Sequence, residues 1–346
     1  MMTYTLKVLE IRKETHDTHT ICFRQPALRK IKYRPGQYLT LIVNVNGRKF
    51  RRPYSFSSCP GIDSTLNITV KRVSQGMVSN HLIDIVKEGD LVEVIEPMGD
   101  FVYPLEDENQ NKEVFLWGAG SGITPLMSIL KFVLNEHTKS KVTLVYYNRN
   151  KEQTIFYDDL TKLKQQYADR FSLYLFYTKG KDGNGNLNGA GRIDKAEVKE
   201  ILKATDDFKN TLQFICGPEG LKDTVKTTLL KNDIDPKNIF IEDFEHIVNE
   251  TQLGEIQTRS VELIRNDETI TLEVVRGKSI LEAGLDRQMD LSYSCQTGTC
   301  TLCKGKLVSG EIKLIGLEKT PQELQTNEIL LCCSYPLTEN IRIEIE

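Results

Sequence analysis

Residues 295–303, CQTGTCTLC, decide the architecture of the C-terminal part of this chain. They place Cys295, Cys300 and Cys303 at the spacing C-x4-C-x2-C, and a fourth cysteine, Cys332, follows much later in the stretch CCSYP. Three thiolates in one loop and a distant fourth are the ligand pattern of a [2Fe–2S] cluster. Gly298 lets the backbone of such a loop approach a cluster closely, because it has no Cβ atom. The spacing therefore predicts an iron–sulfur centre held by these four cysteines.

A zinc site is the alternative for these cysteines. Structural zinc usually takes its ligands from two short C-x2–4-C pairs or from mixtures of Cys and His. One x4 gap, one x2 gap and a single distant cysteine fit that pattern poorly. The chain has eight cysteines in all, and in a reducing compartment we expect ligands, catalytic groups or buried apolar residues rather than disulfides. Cys22 and Cys59 are expected to be buried apolar side chains.

Length, composition and charge exclude several classes of protein. A chain of 346 residues with 39% hydrophobic and 27% charged residues is an ordinary globular chain of two or three domains. No apolar stretch approaches the roughly 20 residues that span a bilayer, and the N-terminus alternates like a strand instead of showing a signal-peptide core. We therefore expect a cytoplasmic protein that does not bind membranes. The net charge of −3 argues against a nucleic-acid-binding protein, which would carry a basic stripe.

Hydrophobic periodicity divides the chain into three domains and a linker. Short strands with a single helix predict an antiparallel β-barrel at the N-terminus. Strands and helices then alternate, beginning with the apolar strand 114–117, which predicts an α/β domain with a parallel sheet. A loop rich in Gly and Asn, residues 179–191, interrupts this domain. The predicted boundaries are 1–105 for the barrel, 106–248 for the α/β domain, 249–258 for a polar linker and 259–346 for the cysteine domain.

Residues 51–58, RRPYSFSS, resemble the flavin signature R-x-Y-S of the ferredoxin–NADP reductase superfamily. The resemblance implies that Arg52 binds the flavin pyrophosphate, that Tyr54 stacks on the isoalloxazine and that Ser55 hydrogen-bonds the N5 edge. The side chains suit these roles, because Arg presents a rigid donor fork and Tyr a flat ring. Pro53 lies inside the signature and belongs to the predicted site. A buried strand could carry the same residues for packing alone.

Residues 71–79, KRVSQGMVS, strengthen the prediction of a flavin. In the same superfamily a G-x-x-S stretch opens the single helix of the barrel, whose free N–H groups bind the flavin phosphates, and Gly76 and Ser79 match it. The overall resemblance implies FAD, although reductases with this domain order divide between FAD and FMN. The predicted flavin contacts in this stretch are Lys71, Arg72, Val73, Gly76, Met77, Val78 and Ser79.

Residues 118–122, GAGSG, follow the strand 114–117 and precede a helix. A glycine-rich loop in that position is a cradle for the pyrophosphate of a dinucleotide. Thr124 is expected to be the N-cap of the helix, with Pro125 at its first position. The predicted nucleotide contacts are Gly118, Gly120, Ser121, Gly122 and Thr124.

Residues 216–220, CGPEG, resemble the C-G-P motif that follows the last sheet strand in this superfamily. The resemblance implies that Cys216 lies against the nicotinamide, whereas a buried core thiol is the alternative. Residues 242–244, EDF, resemble an E-x-F stretch near the same pocket. The predicted nicotinamide contacts are Cys216, Gly217, Pro218, Glu242 and Phe244, and the residues expected to position the reacting rings are Ser55, Cys216 and Glu242.

The choice between NADPH and NADH depends on residues 148–151, NRNK, after the second strand of the α/β domain. An NADH site usually has an acidic residue there for the ribose 2′-hydroxyl, whereas an Arg accommodates a 2′-phosphate. Arg149 therefore favours NADPH. NADH stays possible, because Arg149 could equally be a solvated loop residue.

The C-terminal domain resembles a plant-type ferredoxin through residues 295–311 and the stretch CCSYP at 332–336. The resemblance implies an α+β domain of the β-grasp fold. In that family two residues separate the last ligand from an aromatic–Pro pair, which favours Cys332. The gap after Cys303 is one residue short of the family's usual gap and points to Cys333. A deletion within residues 313–327 would reconcile the two counts, and Cys333 then has no predicted role.

The order of flavin barrel, nucleotide domain and ferredoxin resembles the reductase components of oxygenases, and most of all those of the phenylacetyl-CoA epoxidase type. The resemblance implies that electrons pass from NAD(P)H through the flavin and the cluster to a terminal oxygenase or hydroxylase. A reductase for a desaturase or a soluble electron carrier is an alternative. A ferredoxin-type carrier or a zinc-stabilised interaction module is the alternative outside the enzymes. The intact motifs of the first two domains argue against it.

Overall fold

The computed structural model describes residues 2–27, 30–105, 112–179, 191–205, 207–245, 248, 250–317 and 324–345. The chain divides into two compact units. The first consists of Met1–Val45 and Tyr54–Glu242, and the second of Asn46–Pro53 and Asp243–Glu346. Within the described residues, every helix is too short or too polar to span a membrane.

The N-terminal part of the chain forms an antiparallel sheet with one short helix. Its elements are β1 (Thr3–Thr15), β2 (Thr18–Arg24), β3 (Tyr38–Val45), β4 (Arg48–Ser55), β5 (Thr65–Lys71), α1 (Met77–Asp84) and β6 (Leu91–Met98). The strand order is β4-β3-β6-β1-β2-β5. An antiparallel bridge between Phe56, which follows β4, and Ile68 of β5 brings the two ends of the sheet together. This arrangement confirms the predicted antiparallel barrel.

The second part of the first unit is a parallel sheet with helices between its strands. Its elements are β7 (Val114–Ala119), α2 (Ile123–Glu136), β8 (Val142–Asn148), α3 (Tyr157–Gln166), β9 (Phe171–Tyr177), α4 (Lys195–Leu202), β10 (Leu212–Cys216), α5 (Glu219–Lys231) and β11 (Ile239–Glu242). The order is β11-β10-β7-β8-β9. The chain winds to one side of β7 and later to the other. The carboxyl ends of β7 and β10 therefore form a topological switch point, where ligands bind in such folds.

Strand β7 is hydrophobic throughout because both of its faces are covered. Leu116 belongs to the core on one side of the sheet, whereas Phe115 and Trp117 belong to the core on the other side. Successive side chains of a strand point to opposite faces. The continuous apolar pattern that predicted a parallel sheet thus has its cause in two helical layers.

The second unit is built around a mixed five-stranded sheet of order β13-β12-β18-β14-β16, with a separate pair β15-β17. Its elements are β12 (Arg259–Arg265), β13 (Glu268–Val274), α6 (Ile280–Asp286), β14 (Lys304–Ser309), β15 (Ile312–Leu314), β16 (Glu328–Leu330), β17 (Ser334–Pro336) and β18 (Ile341–Ile345). Ile280 and Leu281 of α6 pack into the core of this sheet. A capping box of Ser279 and Glu282 starts the helix. The predicted α+β domain is confirmed.

The stretch predicted as a linker carries buried side chains. Leu253 and Ile256 pack with Ile315 and Tyr335 in a small hydrophobic cluster of the second unit. The described part of 249–258 is therefore packed against the second unit's own residues through Leu253 and Ile256, two apolar side chains in an otherwise polar stretch. Residue 249, residues 180–190 of the predicted loop 179–191 and residues 318–323 of the proposed deletion site lie outside the described residues. The domain boundaries stay predictions.

Candidate cofactor sites

Two of the predicted motifs meet at the carboxyl ends of β7 and β10. In the parallel register Gly118 stands opposite Cys216, and Cys216 stands opposite Glu242 of β11. A Cβ atom at Gly122 would lie 2.1 Å from the carbonyl oxygen of Cys216. This separation excludes every residue except glycine, because neither backbone can move away cheaply. The glycine loop and the C-G-P motif therefore lie side by side at the switch point of the sheet.

A buried tyrosine supports the glycine loop through a hydrogen bond. Gly120 has a φ of 53°, and residues Gly120–Gly122 form a single 3-10 turn that leads into α2. The hydroxyl of Tyr146, on β8, donates a hydrogen bond of 2.8 Å to the Gly120 carbonyl. Burial raises the pKa of Tyr146, so the hydroxyl keeps its proton for this bond. Sequence reasoning missed Tyr146, and the only signal was a tyrosine at the end of an apolar strand.

The predicted N-cap of α2 is wrong. The helix begins at Ile123, with Gly122 at the N-cap position, so Thr124 and Pro125 lie inside its first turn. The Thr124 hydroxyl donates to the carbonyl of Ser121 at 3.1 Å instead of capping an amide. The physical reason is the 3-10 turn of the glycines, which brings the chain into helical geometry earlier than a threonine cap would. The amides of Gly120, Ser121 and Thr124 are the groups here that can bind a phosphate, because the Ile123 amide donates to the Gly120 and Ser121 carbonyls and Pro125 has no N–H.

Cys216 is a neutral thiol in this site. It is 1% exposed, and burial together with the neighbouring Glu242 raises its pKa well above the ordinary value, against the opposing effect of Lys222. Lys222 also forms an ion pair of 2.8 Å with Glu219. Gly217 packs tightly too, since a Cβ atom there would lie 3.2 Å from the amide nitrogen of Ala119. Phe244 belongs to the second unit, and its contact with the nicotinamide stays a prediction.

Arg149 follows the last residue of β8 and is exposed. Its carbonyl accepts a hydrogen bond of 2.8 Å from the amide of Lys179, which fixes the backbone. Asn150 then caps the 3-10 turn Lys151–Gln153 through the amide of Gln153. The guanidinium of Arg149 is thus carried on an ordered turn at the carboxyl end of the strand next to β7. This is the edge of the sheet at which the glycine loop lies.

The R-x-Y-S signature occupies the end of β4. Because side chains alternate along a strand, Arg52 and Tyr54 share one face, and Pro53 and Ser55 share the other. The guanidinium of Arg52 donates to the carbonyl of Arg51 at 2.8 Å. Ser55 is buried. A cation and an aromatic ring on one face suit a phosphate and a ring system, as the motif predicts.

The G-x-x-S stretch forms a tight turn at the start of α1, with Gly76 at the N-cap position. A Cβ atom at Gly76 would lie 2.7 Å from the Ser79 hydroxyl and 2.9 Å from the Cβ atom of Val73. The Ser79 hydroxyl accepts a hydrogen bond from the Val73 amide at 3.1 Å. Glycine and serine together therefore fold the chain back, and the first-turn amides of α1 stay available for phosphate oxygens.

The basic residues before this turn have protein partners. Arg72 donates to Asn80 at 2.9 Å and to Asp84 at 2.8 Å, and Lys71 lies 3.8 Å from Asp17. Arg72, directly after β5, thereby connects the end of that strand to α1. The structure gives it this role in the barrel, and its predicted contact with the flavin stays a prediction.

The four predicted cluster ligands come together as two pairs of sulfurs. The Cys295 amide lies 3.4 Å from the Cys300 sulfur, and the Cys300 amide lies 3.4 Å from the Cys295 sulfur. The Leu331 amide donates to the Cys303 carbonyl at 2.9 Å, which brings Cys303 next to the turn that carries Cys332. Within the described residues, no three His, Cys, Asp or Glu side chains converge as they would around a single ion. Two thiolates for each of two irons is the donor set of a [2Fe–2S] cluster, so the residues fit that group.

The cysteine loop is shaped to present amides to sulfur. The amides of Thr297 and Cys300 each lie 3.4 Å from the Cys295 sulfur. The Cys300 thiol, and then these amides, lower the pKa of Cys295. Gly298 has a φ of 86°, and a Cβ atom there would lie 2.9 Å from the Cys333 sulfur. Glycine is required at this position both by its conformation and by the space.

Three family models match the chain in the predicted order. They describe an oxidoreductase FAD-binding domain over residues 5–103, an oxidoreductase NAD-binding domain over 116–227 and a 2Fe-2S iron-sulfur cluster binding domain over 263–337. One component of the 1,2-phenylacetyl-CoA epoxidase from Escherichia coli K12 is 30% identical, over 99% of this chain and 98% of its own length. The chain belongs to the oxygenase reductases. It is an oxidoreductase with FAD-, NAD- and 2Fe-2S-binding domains, as predicted.

Other members and a solved structure agree with this assignment. The ferredoxin reductase component of 3-ketosteroid-9-alpha-monooxygenase from Rhodococcus rhodochrous is 31% identical over 98% of this reductase and 96% of its own length. The structure of phthalate dioxygenase reductase matches with a TM-score of 0.68 over 99% of this chain and 98% of that chain, at 24% identity. That likeness shows the three-domain fold. The roles of individual residues stay predictions.

Proposed function

We propose that this reductase takes electrons from NADPH and delivers them to a multicomponent oxygenase of the phenylacetyl-CoA epoxidase type in the cytoplasm. The contact between Gly122 and the Cys216 carbonyl carries the proposal, because it joins a phosphate-binding loop to a neutral thiol in one site. When bound, FAD supplies the conversion of a two-electron hydride into single electrons, and a [2Fe–2S] cluster supplies one-electron transfer. The protein's own contribution is binding and orientation.

At the nucleotide end, the amides of Gly120, Ser121 and Thr124 bind the pyrophosphate, and Tyr146 keeps their loop in place through its bond to Gly120. Cys216, although 1% exposed, places an uncharged thiol next to the position that we propose for the nicotinamide, and Glu242 stands beside it in register. No side-chain acid or base is needed for hydride transfer. These residues therefore act by holding the ring in a productive orientation.

At the flavin end, the first turn of α1 binds phosphate through its amides, and Gly76 makes that turn possible. Arg52 and Tyr54, on one face of β4, provide a cation for phosphate and a ring for stacking. Ser55 provides a buried hydroxyl for the N5 edge. Cys295, Cys300, Cys303 and Cys332 provide the four thiolates of the cluster.

The preference for NADPH rests on Arg149. An exposed guanidinium at the carboxyl end of β8 can form a bidentate, charge-assisted contact with a 2′-phosphate. The other cation of this turn is Lys151, whose ammonium already lies 4.6 Å from the ring centre of Tyr157. We therefore assign the contact with the 2′-phosphate to Arg149.

The proposed partner oxygenase is argued from relatives that serve different oxygenases. Full-length relatives are named as components of a phenylacetyl-CoA epoxidase, a 3-ketosteroid monooxygenase and, in Pseudomonas aeruginosa, a glycine betaine monooxygenase, at 30%, 31% and 27% identity. The substrate is therefore selected by the oxygenase and not by the reductase. An oxygenase of the ketosteroid type is the alternative partner, since its reductase is as similar to this chain.

Reconstitution tests the partner directly. The purified reductase is mixed with NADPH and the oxygenase components of phenylacetyl-CoA epoxidase, and NADPH oxidation is measured with and without phenylacetyl-CoA. We expect substrate-dependent NADPH oxidation with epoxide formation, and little with the ketosteroid oxygenase and its own substrate. The reverse result would assign the reductase to the alternative partner, and electron transfer to neither would remove both assignments.

A further inference from the structure

Cys333 lies between two parts of the predicted cluster site. It follows Cys332 in the short 3-10 turn Leu331–Cys333 and is fully buried. Its sulfur is 3.6 Å from the sulfur of Cys332, within hydrogen-bonding distance for two sulfurs. On another side it packs against Gly298, where an added Cβ atom would lie 2.9 Å from the Cys333 sulfur. The position of this thiol is therefore fixed by the loop that carries the other ligands.

The direction of the hydrogen bond follows from ligation. A cysteine binds iron as a thiolate, without its proton. If Cys332 is the ligand, the single proton between the two sulfurs belongs to Cys333, which then donates to Cys332. Because both sulfurs are buried, water does not compete for this bond.

We propose that the Cys333 thiol donates an S–H···S hydrogen bond to the ligand Cys332 and makes the bound cluster easier to reduce. The inference rests on the proposed function, because it presupposes a cluster on Cys332. A hydrogen bond to a ligand sulfur withdraws charge from it, and this favours the reduced cluster, which carries one more negative charge. Cys333 is thus a positioning and tuning residue for electron entry into the second unit.

The test is a redox titration of the whole reductase, followed by the electron paramagnetic resonance signal of the reduced cluster. We expect Cys333→Ala to lower the reduction potential, disfavouring reduction about three- to tenfold, the effect of one weak hydrogen bond. That corresponds to about 30 to 60 mV for one electron. Cys333→Ser keeps a donor and is expected to remain near or above the wild-type potential. Cys22→Ala, a buried cysteine of the first unit, is the matched control.

Two results would overturn the inference. One is an unchanged potential in Cys333→Ala, and the other is an equal fall in the alanine and serine variants, which would indicate packing instead of a hydrogen bond. If the variants fail to fold, resonance Raman spectroscopy of the wild-type protein tests the hydrogen bond. Exchange into D2O should shift its iron–cysteine stretching bands in resonance Raman spectra, and the absence of a shift contradicts the bond. Protein that contains no iron and sulfide would contradict the proposed function. A cluster whose potential and iron–cysteine bands do not shift would contradict this inference alone.

Discussion

Gly122 and Cys216 are locked together through their backbones, since a Cβ atom on Gly122 would lie 2.1 Å from the Cys216 carbonyl oxygen. The start of α2 and the end of β10 are therefore fixed against each other. In our proposal, one of these segments presents amides to the pyrophosphate of the nucleotide, and the other places the Cys216 thiol beside the nicotinamide. The fold therefore fixes the distance between the proposed pyrophosphate site and the proposed nicotinamide site.

The first prediction concerns this contact. Gly122→Ala forces two backbones apart, so we expect the rate of flavin reduction at low NADPH to fall about 100-fold, with a stability loss of about 1–3 kcal/mol. Stopped-flow absorbance and thermal unfolding measure the two effects. Gly220→Ala is the matched control, because an added Cβ there meets no described atom within 4 Å. Equal behaviour of the two variants would contradict the proposed site.

The second prediction concerns the choice of nucleotide. Arg149→Ala removes the guanidinium proposed for the 2′-phosphate, so we expect KM for NADPH to rise at least about tenfold. KM for NADH should stay nearly constant. Steady-state reduction of a dye with each nucleotide measures the split, and Lys209→Ala removes an exposed charge of the same sheet domain as a control. A parallel rise for both nucleotides would exclude Arg149 as the specificity residue.

The third prediction concerns the support of the glycine loop. Tyr146→Phe keeps the buried ring but removes the bond to the Gly120 carbonyl. We expect a loss of about 1 kcal/mol in unfolding free energy and a higher KM for NADPH and NADH alike. The neighbouring Tyr147→Phe, whose hydroxyl contacts Glu197 at 3.4 Å, serves as the control. An unaltered KM in Tyr146→Phe would mean that the loop does not depend on this bond.

The fourth prediction uses the raised pKa of Cys216. A thiol that holds its proton more tightly when buried has little thiolate at pH 8, and thiolate is the form that alkylating reagents attack. We expect iodoacetamide to label Cys216 in folded protein far more slowly than an exposed thiol at pH 8. Labelling should accelerate only as the pH rises well above 9. Mass spectrometry of the labelled peptide follows this, and rapid labelling at pH 8 would show that the site is open or the thiol ionised.

The fifth prediction separates the two electron carriers. Cys300→Ser removes one of the four proposed thiolates, so we expect loss of the cluster and of electron transfer to a partner. Flavin reduction by NADPH should persist. Iron and sulfide content, flavin content and dye reduction are measured on the same preparation. If dye reduction disappeared from a folded, flavin-containing variant, the proposed order of electron flow would be wrong.

Much of the fold could be predicted from periodicity, because the burial that creates the pattern is local. For example, a run of apolar residues predicts β9, and an amphipathic pattern predicts α4. The packing of residues 249–258 is harder to predict, because Leu253 and Ile256 are two apolar residues in a polar stretch and their partner Tyr335 is distant in sequence. β11 has only four residues, Ile239–Glu242, so its run of three apolar residues is too short to identify a strand with certainty.

The candidate sites divide in a similar way. Motifs with fixed spacing, such as the cysteine loop, could be located from the sequence because the backbone itself forms the site. Tyr146 could not, because its role depends on a contact with Gly120 across two strands. The N-cap of α2 cannot be predicted from its sequence, since no sequence rule predicts that the three residues of the glycine loop form a 3-10 turn.

The most direct test of the electron path is an anaerobic titration of the purified reductase with NADPH, followed by visible absorbance and electron paramagnetic resonance. We predict bleaching of the flavin and of the cluster, with the signal of a reduced [2Fe–2S] cluster, at lower concentrations of NADPH than of NADH. Bleaching of the flavin alone, in protein that contains zinc in place of iron and sulfide, would contradict the central claim that the four cysteines hold a cluster that carries electrons.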